Sequence, residues 1–271
     1  MALHDLSVHP AHADVLRTAR LDSLDALFAV QDGQALSKPG LDPWRTRMRV
    51  ALPGPSGETV YFLKRFEHPP SHSLRAMRRS RSGARSFAFN EWTWVQRLTT
   101  AGIPCLQGVA VGEKLRRSRE IRSALLTAQV PGESLESWCK RWTYQDRPTL
   151  RALIPATAAL VSRLHRAGYF HRDLYLCHIF FDSDRPIDDA LRLIDLQRVI
   201  QPTWRRGRWV VKDLAALNYS TPTSLVSRAD RVRFLRLYLG VMKLGGSGKS
   251  LAYRVLGKTA SIAARDRKRS S

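Results

Sequence analysis

The chain has 271 residues, enough for one large domain or two lobes, and its 44% apolar and 8% aromatic content excludes a disordered chain. Its 45 lysines and arginines against 23 aspartates and glutamates leave a net charge of +22, which calls for a polyanionic partner: nucleic acid, an acidic membrane surface or a phosphorylated glycan. Three scattered cysteines, Cys105, Cys139 and Cys177, form no CxxC pair, which excludes a disulfide framework or a zinc ribbon and fits a reducing cytoplasm.

Residues 1–43 read as a helix-bearing extension, with Leu21, Leu24, Leu27 and Phe28 at helical spacing and a break at Lys38-Pro39-Gly40. A strand pair follows, 46–52 and 58–66, around a Pro/Gly turn at 53–57, and its second strand carries Lys64. The basic, serine-rich tract 65–85 reads as a solvated loop with a short helical piece. A helix over 85–101 comes next, closed by Gly102 and Pro104, with Phe87, Trp94, Val95 and Leu98 on its apolar stripe. Glu91 falls on that same stripe, where a carboxylate is costly without a cation partner. A hairpin of 109–111 and 121–129 precedes Pro131-Gly132, taken as the linker between lobes. A helix over 149–166 carries Pro155, which predicts a kink or a later start, and Gly168 caps its end. A strand is expected over 191–196, a helix opening at Lys212-Asp213, and a helical, basic tail over 228–271. This gives three parts: the extension at 1–43, a first lobe at 44–130 and a second lobe with its tail at 131–271.

Phosphoryl transfer needs a carboxylate for the hydroxyl proton, another for magnesium, a lysine for the nucleotide phosphates and a glutamate for that lysine. Lys64 on a strand, Glu91 on the next helix, Asp173 in His171-Arg172-Asp173 and Asp195 at the end of an apolar strand supply these in order. His178, five residues after Asp173, stands where protein kinases place an asparagine that binds a second magnesium. A neutral imidazole is a poorer magnesium ligand than an oxygen, so a metal role and a packed loop histidine both stay open there.

The run HRDLYLCH at 171–178, IDLQR at 194–198 and KDLAAL at 212–217 resembles the lipopolysaccharide core kinases, the Kdo and heptose kinase family of Gram-negative bacteria. FLKR at 62–65 and NEW at 90–92 before AGIP at 101–104 also match, so the likeness spans about residues 45–239. The resemblance implies an α+β, bilobal protein-kinase-like fold, with a small β-rich first lobe and a larger helical second lobe. It implies ATP- and Mg2+-dependent phosphorylation of a sugar hydroxyl on a lipid-linked, phosphorylated glycan at the cytoplasmic face of the inner membrane. Carried across residue by residue, Asp173 is the catalytic base, Asp195 a magnesium ligand, Lys64 the phosphate-binding lysine and Glu91 its ion-pair partner. His178 is a second metal or loop-organising residue, and Asp213 a structural aspartate beneath the catalytic loop.

One departure stands out. No GxGxxG loop precedes Lys64: Gly40 stands alone, and Gly54 and Gly57 belong to the following turn. That absence keeps a pseudokinase scaffold as an alternative, and the charge keeps a nucleic-acid-binding protein as another, although no nucleic-acid motif is present. Gly245-Gly246-Ser247-Gly248-Lys249-Ser250 approaches a P-loop, but Lys243 stands where the first glycine belongs, so the segment reads as a flexible turn between tail helices. No segment reaches the ~18 apolar residues that span a bilayer, and the first residues lack a signal-peptide pattern, so a cytoplasmic protein is expected. Basic runs at 75–85, 205–208 and 265–269, the second interleaved with Trp204 and Trp209, suit peripheral attachment to an anionic membrane surface.

Overall fold

The structure, a computed structural model, describes residues 6–36, 42–54 and 57–270. The expected break at Lys38-Pro39-Gly40, and Pro55 and Ser56 of the expected turn, lie outside the described residues. The chain forms two compact units. The first comprises Met1–Thr100 with Leu106–Val130, and the second Ala101–Cys105 with Pro131–Ser271.

The first unit is built on an antiparallel six-stranded sheet. Its strands are β1 (Leu6–Val8), β2 (Gln34–Ala35), β3 (Arg45–Gly54), β4 (Gly57–Glu67), β5 (Gly108–Arg116) and β6 (Arg119–Ala128), in the order β1-β5-β6-β4-β3-β2. The segment expected as an extension thus supplies both edge strands. It also supplies two short helices, α1 (Ala13–Thr18) and α2 (Leu24–Ala29), and Ser23 caps the second through its hydroxyl.

Alternation along β4 sorts the core into two layers. Leu63 joins Leu16, Leu24, Leu27, Val50 and Leu126, whereas Phe66 joins Leu74, Met77, Phe87, Val111 and Leu125. Lys64 pairs across the ladder with Leu125, so the two share a face, and that is the face of Phe87 and Ala88. Those two residues begin α4 (Phe87–Thr100), preceded in the basic tract by α3 (Ser71–Arg78). The stripe read from the sequence is the buried one: Phe87, Trp94, Val95 and Leu98 are in the core, and Glu91 is buried among them.

The second unit is mainly helical: α5 (Leu135–Arg141), α6 (Arg147–Arg166), α7 (Arg206–Ser220), α8 (Arg228–Leu239) and α9 (Gly246–Ser270) surround a small sheet. That sheet orders β7 (Glu133–Ser134), β8 (Ile179–Phe181) and β9 (Leu191–Leu193). Gly132 opens it at φ +81°, and a Cβ there would stand 2.0 Å from the Phe181 carbonyl oxygen, so only glycine fits. Helix α6 does not start late: Pro155 lies inside it, and its missing N–H leaves the Arg151 carbonyl without its helical donor.

Two segments differ from the sequence expectation. Helix α7 starts at Arg206, so KDLAAL occupies its middle and Asp213 is buried rather than sitting at a helix entrance. Gly246 to Ser250 form the first turns of α9, with the Lys249 N–H bonded to the Gly245 carbonyl. The glycines there sit at a helix start, where they cost less than inside it.

Candidate active site

In the sheet unit, Lys64 Nζ donates to Glu91 Oε1 at 2.6 Å and Oε2 at 2.9 Å. The lysine arrives there because its strand turns it toward α4. The glutamate arrives because 91 lies one helical turn after Phe87, on the inward stripe. The helix that carries Glu91 is capped from a strand. Phe87 N–H donates to Glu120 Oε2 at 3.0 Å, Ala88 N–H to Ser123 Oγ at 3.2 Å and Phe89 N–H to Ser86 Oγ at 3.3 Å. Burial pushes the Glu120 carboxyl up to about 7 against the hydrogen bonds from Ser123 and Phe87, with Glu113 adding to the rise and Arg45 opposing it.

In the helical unit, the turn His171-Arg172-Asp173 is clamped from below. Buried Asp213 accepts the backbone N–H groups of His171 and Arg172, each at 2.7 Å, and faces His165 Nε2 at 3.2 Å. His165 Nδ1 in turn meets the Tyr238 hydroxyl at 2.9 Å. These bonds offset a left-handed backbone at Arg172, φ +70°, which costs any residue that carries a Cβ. His171 is fully buried and donates from Nε2 to the Ile194 carbonyl at 2.9 Å. Burial and the neighbouring His178 hold its pKa below the usual histidine value, so it is a neutral packing residue.

His178 ties the two aspartates. Its Nδ1 donates to the Asp173 carbonyl at 2.7 Å, which leaves Nε2 facing Asp195 Oδ2 at 3.7 Å. Asp195 itself is left-handed at φ +55°, a conformation that aspartate tolerates better than most residues and that aims its carboxylate back at the loop. Burial opposes charge on His178, but the Cys177 sulfur, the Asp173 carbonyl and the Asp195 carboxylate outweigh it and push its pKa up to about 9. An imidazole nitrogen facing a carboxylate is an arrangement that a shared cation, proton or metal, stabilises. Asp195 offers the hard oxygen that magnesium takes, and His178 the poorer nitrogen. Among the described residues, no group of three or more His, Cys, Asp or Glu side chains converges as a ready-made metal cage.

The last residue of IDLQR, Arg198, carries no signal of its role in the sequence. Arg198 Nη1 lies 2.8 Å from Asp173 Oδ2 and donates to Oδ1 at 2.9 Å. Lys212 is half-buried on α7, and its pKa is lowered to about 8, by burial first and then by Arg198, with Asp173 opposing. Arg172 and Arg208 both stack on Trp209, at 5.2 and 4.5 Å, and Arg205 stacks on the exposed ring of Trp204 at 4.7 Å. Asp173 therefore sits in a cationic setting suited to phosphorylated ligands.

The profile of the Lipopolysaccharide kinase (Kdo/WaaP) family matches residues 59–238. The chain belongs to that family. It is 37% identical over 157 residues to the lipopolysaccharide core heptose(I) kinase WaaP of Pseudomonas aeruginosa, covering 56% of this chain and 59% of that one. It is 31% identical over 160 residues to the enzyme of the same name from Escherichia coli, covering 57% and 60%. The chain thus spans about three-fifths of the length of these curated relatives. A solved structure, WaaP in complex with acyl carrier protein, matches with a TM-score of 0.67 and 29% identity over 97% of this chain and 98% of that one. The expected kinase-like α+β fold is therefore the observed one. No helix among the described residues is long and apolar enough to cross a membrane.

Proposed function

We propose that this member of the Kdo/WaaP family is an ATP-dependent kinase that phosphorylates a sugar hydroxyl of a lipid-linked glycan of the lipopolysaccharide-core type. The observation that carries this reading is the clamped turn at 171–173. Asp213 fixes the turn, the Asp173 side chain stays 21% exposed beside Arg198, and His178 links the Asp173 main-chain carbonyl to the Asp195 carboxylate. In this reading, residues 44–130 hold the nucleotide and residues 131–271 carry the chemistry, and residues 1–43 complete the first sheet.

Each residue then has a role that its surroundings support. Lys64 neutralises phosphate charge and is oriented by Glu91. Asp173 accepts the proton of the sugar hydroxyl as that oxygen bonds the terminal phosphorus and the bond to the nucleoside diphosphate breaks. Asp195, with His178 beside it, would hold Mg2+, which supplies charge neutralisation on the phosphates when bound. Arg198 keeps the Asp173 carboxylate in place, and the surplus cations around it favour an acceptor that already bears phosphate. Trp204 with Arg205, Arg206 and Arg208 suits an anionic membrane surface, at ~1 kcal/mol for each basic group near it.

The decisive test is mass spectrometry of lipid-linked glycans from a strain lacking the protein. Loss of one phosphate, restored by the intact chain and not by Asp173→Asn, supports the reading; an unchanged glycan overturns it.

A second observation favours a further partner. The helical unit holds an apolar cavity of about 540 Å³ lined by Trp138, Leu150, Ile154, Leu217, Leu235 and Leu256, with Arg228, Arg231 and Lys249 also on its wall. Because the solved relative was captured with acyl carrier protein, we infer that this cavity takes the acyl chain of such a carrier. Co-purification with acylated carrier supports this when Leu217→Trp abolishes it, and retention by Leu217→Trp contradicts it.

A further inference from the structure

We infer that Glu120 and Ser123 of β6 act together as a clasp on the first turn of α4, and so set the position from which Glu91 reaches Lys64. The inference rests on the reading of Lys64 and Glu91 as the nucleotide-holding pair, and it adds two positioning residues to it.

The first helical hydrogen bond of α4 is Asn90 N–H to the Ser86 carbonyl. The three N–H groups before it have no partner within the helix. An ordinary helix satisfies them with a nearby Ser, Thr, Asp or Asn, or with water. Here only Phe89 N–H is served locally, by Ser86 Oγ. The other two are served from a residue separation of more than thirty. Phe87 N–H goes to Glu120 Oε2 and Ala88 N–H to Ser123 Oγ, and Ser123 Oγ also donates to Glu120 Oε1 at 2.6 Å. Both side chains are buried, Glu120 at 1% exposure and Ser123 at 0%, so no water substitutes for them cheaply.

The path closes on itself. Ser123 is the ladder partner of Phe66 on β4, two residues from Lys64, and Leu125 is the partner of Lys64 itself. From Lys64 the chain of contacts runs across the ladder to β6, through Ser123 and Glu120 to the helix start, and one turn along α4 to Glu91. The Glu91 carboxylate then returns to Lys64 at 2.6 Å. A shift of the helix start by even part of a turn moves Glu91 off the lysine, because the ammonium is reached only from this stripe. A glutamate is an expensive residue to bury, and a serine in its place would cap one donor without that cost. What the carboxylate adds is reach from a strand and a second oxygen, so that one residue orders both the helix and the serine. The Lys64–Glu91 contact and the clasp thus belong to one closed circuit of hydrogen bonds and ladder pairs.

The test uses the full chain with two readouts. Amide hydrogen exchange follows protection at 87–91, and titration with Mg2+ and a non-hydrolysable ATP analogue gives nucleotide affinity. Glu120→Ala with Ser123→Ala should lower protection of the Phe87 and Ala88 amides and weaken nucleotide binding, each by about tenfold or more. Ser123→Ala alone, the milder variant if the double one fails to fold, should deprotect Ala88 first. Glu120→Gln keeps an acceptor for Phe87 N–H and should restore protection and affinity to within about threefold of the wild type. Leu98→Ala, on the same helix but away from the clasp, serves as a control of comparable destabilisation. It should leave both readouts near wild type under native conditions. Unchanged protection or affinity in Ser123→Ala and the double variant, or equal losses in Leu98→Ala, would overturn the clasp. If the wild type itself bound no nucleotide, the kinase reading would fail, and the exchange data would still judge the clasp.

Discussion

In the sheet unit, Lys64 and Glu91 meet with 13% and 0% of their side chains exposed; in the helical unit, Asp173 and Asp195 keep 21% and 27%. The first pair is made by packing. A strand faces the lysine inward, a helix stripe buries the glutamate, and a capped first turn fixes the distance. The second pair is made by backbone. Left-handed backbone at Arg172 and at Asp195 itself sets where the two carboxylates go, and the buried partners, Asp213 and His171, hold main chain rather than either carboxylate. The lesson is a division of labour: the Lys64–Glu91 pair is sealed by packing, and the more exposed carboxylates are held in place by buried residues beneath them.

This division predicts that stability and activity separate differently in the two units. The largest effect is expected at Asp173. Asp173→Asn should lower phosphoryl transfer by ~10²-fold or more, while the chemical-unfolding midpoint stays near wild type, because the carboxylate bears on chemistry and not on packing. A comparable loss of stability would erase the contrast. Glu91→Ala should behave oppositely, costing about 3–5 kcal/mol of stability by leaving Lys64 without its carboxylate in a buried place. Glu91→Gln, which keeps shape but not charge, should cost less, and equal costs for the two would show that packing rather than pairing matters there.

Glu120 sharpens the comparison through pH. Its folded pKa of about 7 lies above the ordinary 4.5, so the folded state binds more protons than the unfolded one between those values. Stability from this group is therefore full below about 4.5 and is lost as pH rises through about 7, by at most ~3 kcal/mol. The groups around it that also bear on the titration are Glu113, which Arg85 approaches at 3.8 Å, Arg45 and the Ser123 hydroxyl. Comparing urea midpoints of wild type and Glu120→Gln from pH 5 to 8 checks this: the wild type should lose ground to the variant as pH rises, and parallel curves would contradict it. The smallest effect belongs to the surface. Flotation with anionic vesicles should weaken as salt rises, and replacing Arg205 and Arg206 together should weaken it further, by ~1 kcal/mol for each. Attachment that ignores salt would point to apolar insertion instead.

Much of this arrangement was legible in the sequence for a physical reason. Glu91 announced itself because a carboxylate on a buried stripe demands a cation, and Lys64 was the strand lysine before it. The run at 171–178 and the aspartate after an apolar strand stood out because phosphoryl transfer calls for such carboxylates, and the structure brings Asp173 and Asp195 to two sides of His178. Other features left no such trace. Glu120 sits in LRRSRE, where one acid among arginines reads as turn chemistry, and nothing local shows that its side chain enters the core. Arg198 was hidden in the opposite way, since an arginine two residues past a leucine has no periodicity to break. Its contact with Asp173 is set by the 3-10 turn at Leu196–Arg198. The start of α7 was missed because Trp204-Arg205-Arg206 carries no cap residue; a left-handed Arg205 begins the helix instead.

The central claim is that this chain moves a phosphoryl group from ATP to a sugar hydroxyl of a lipid-linked core glycan, with Asp173 taking the proton. The most direct measurement is transfer of labelled γ-phosphate by the purified chain, with Mg2+, to glycolipid extracted from a strain lacking the protein. Label should appear in the glycan sugar with the wild type and fall by ~10²-fold or more with Asp173→Asn. Label that stays in nucleotide and inorganic phosphate with the wild type, or that reaches the glycan equally with Asp173→Asn, would contradict it.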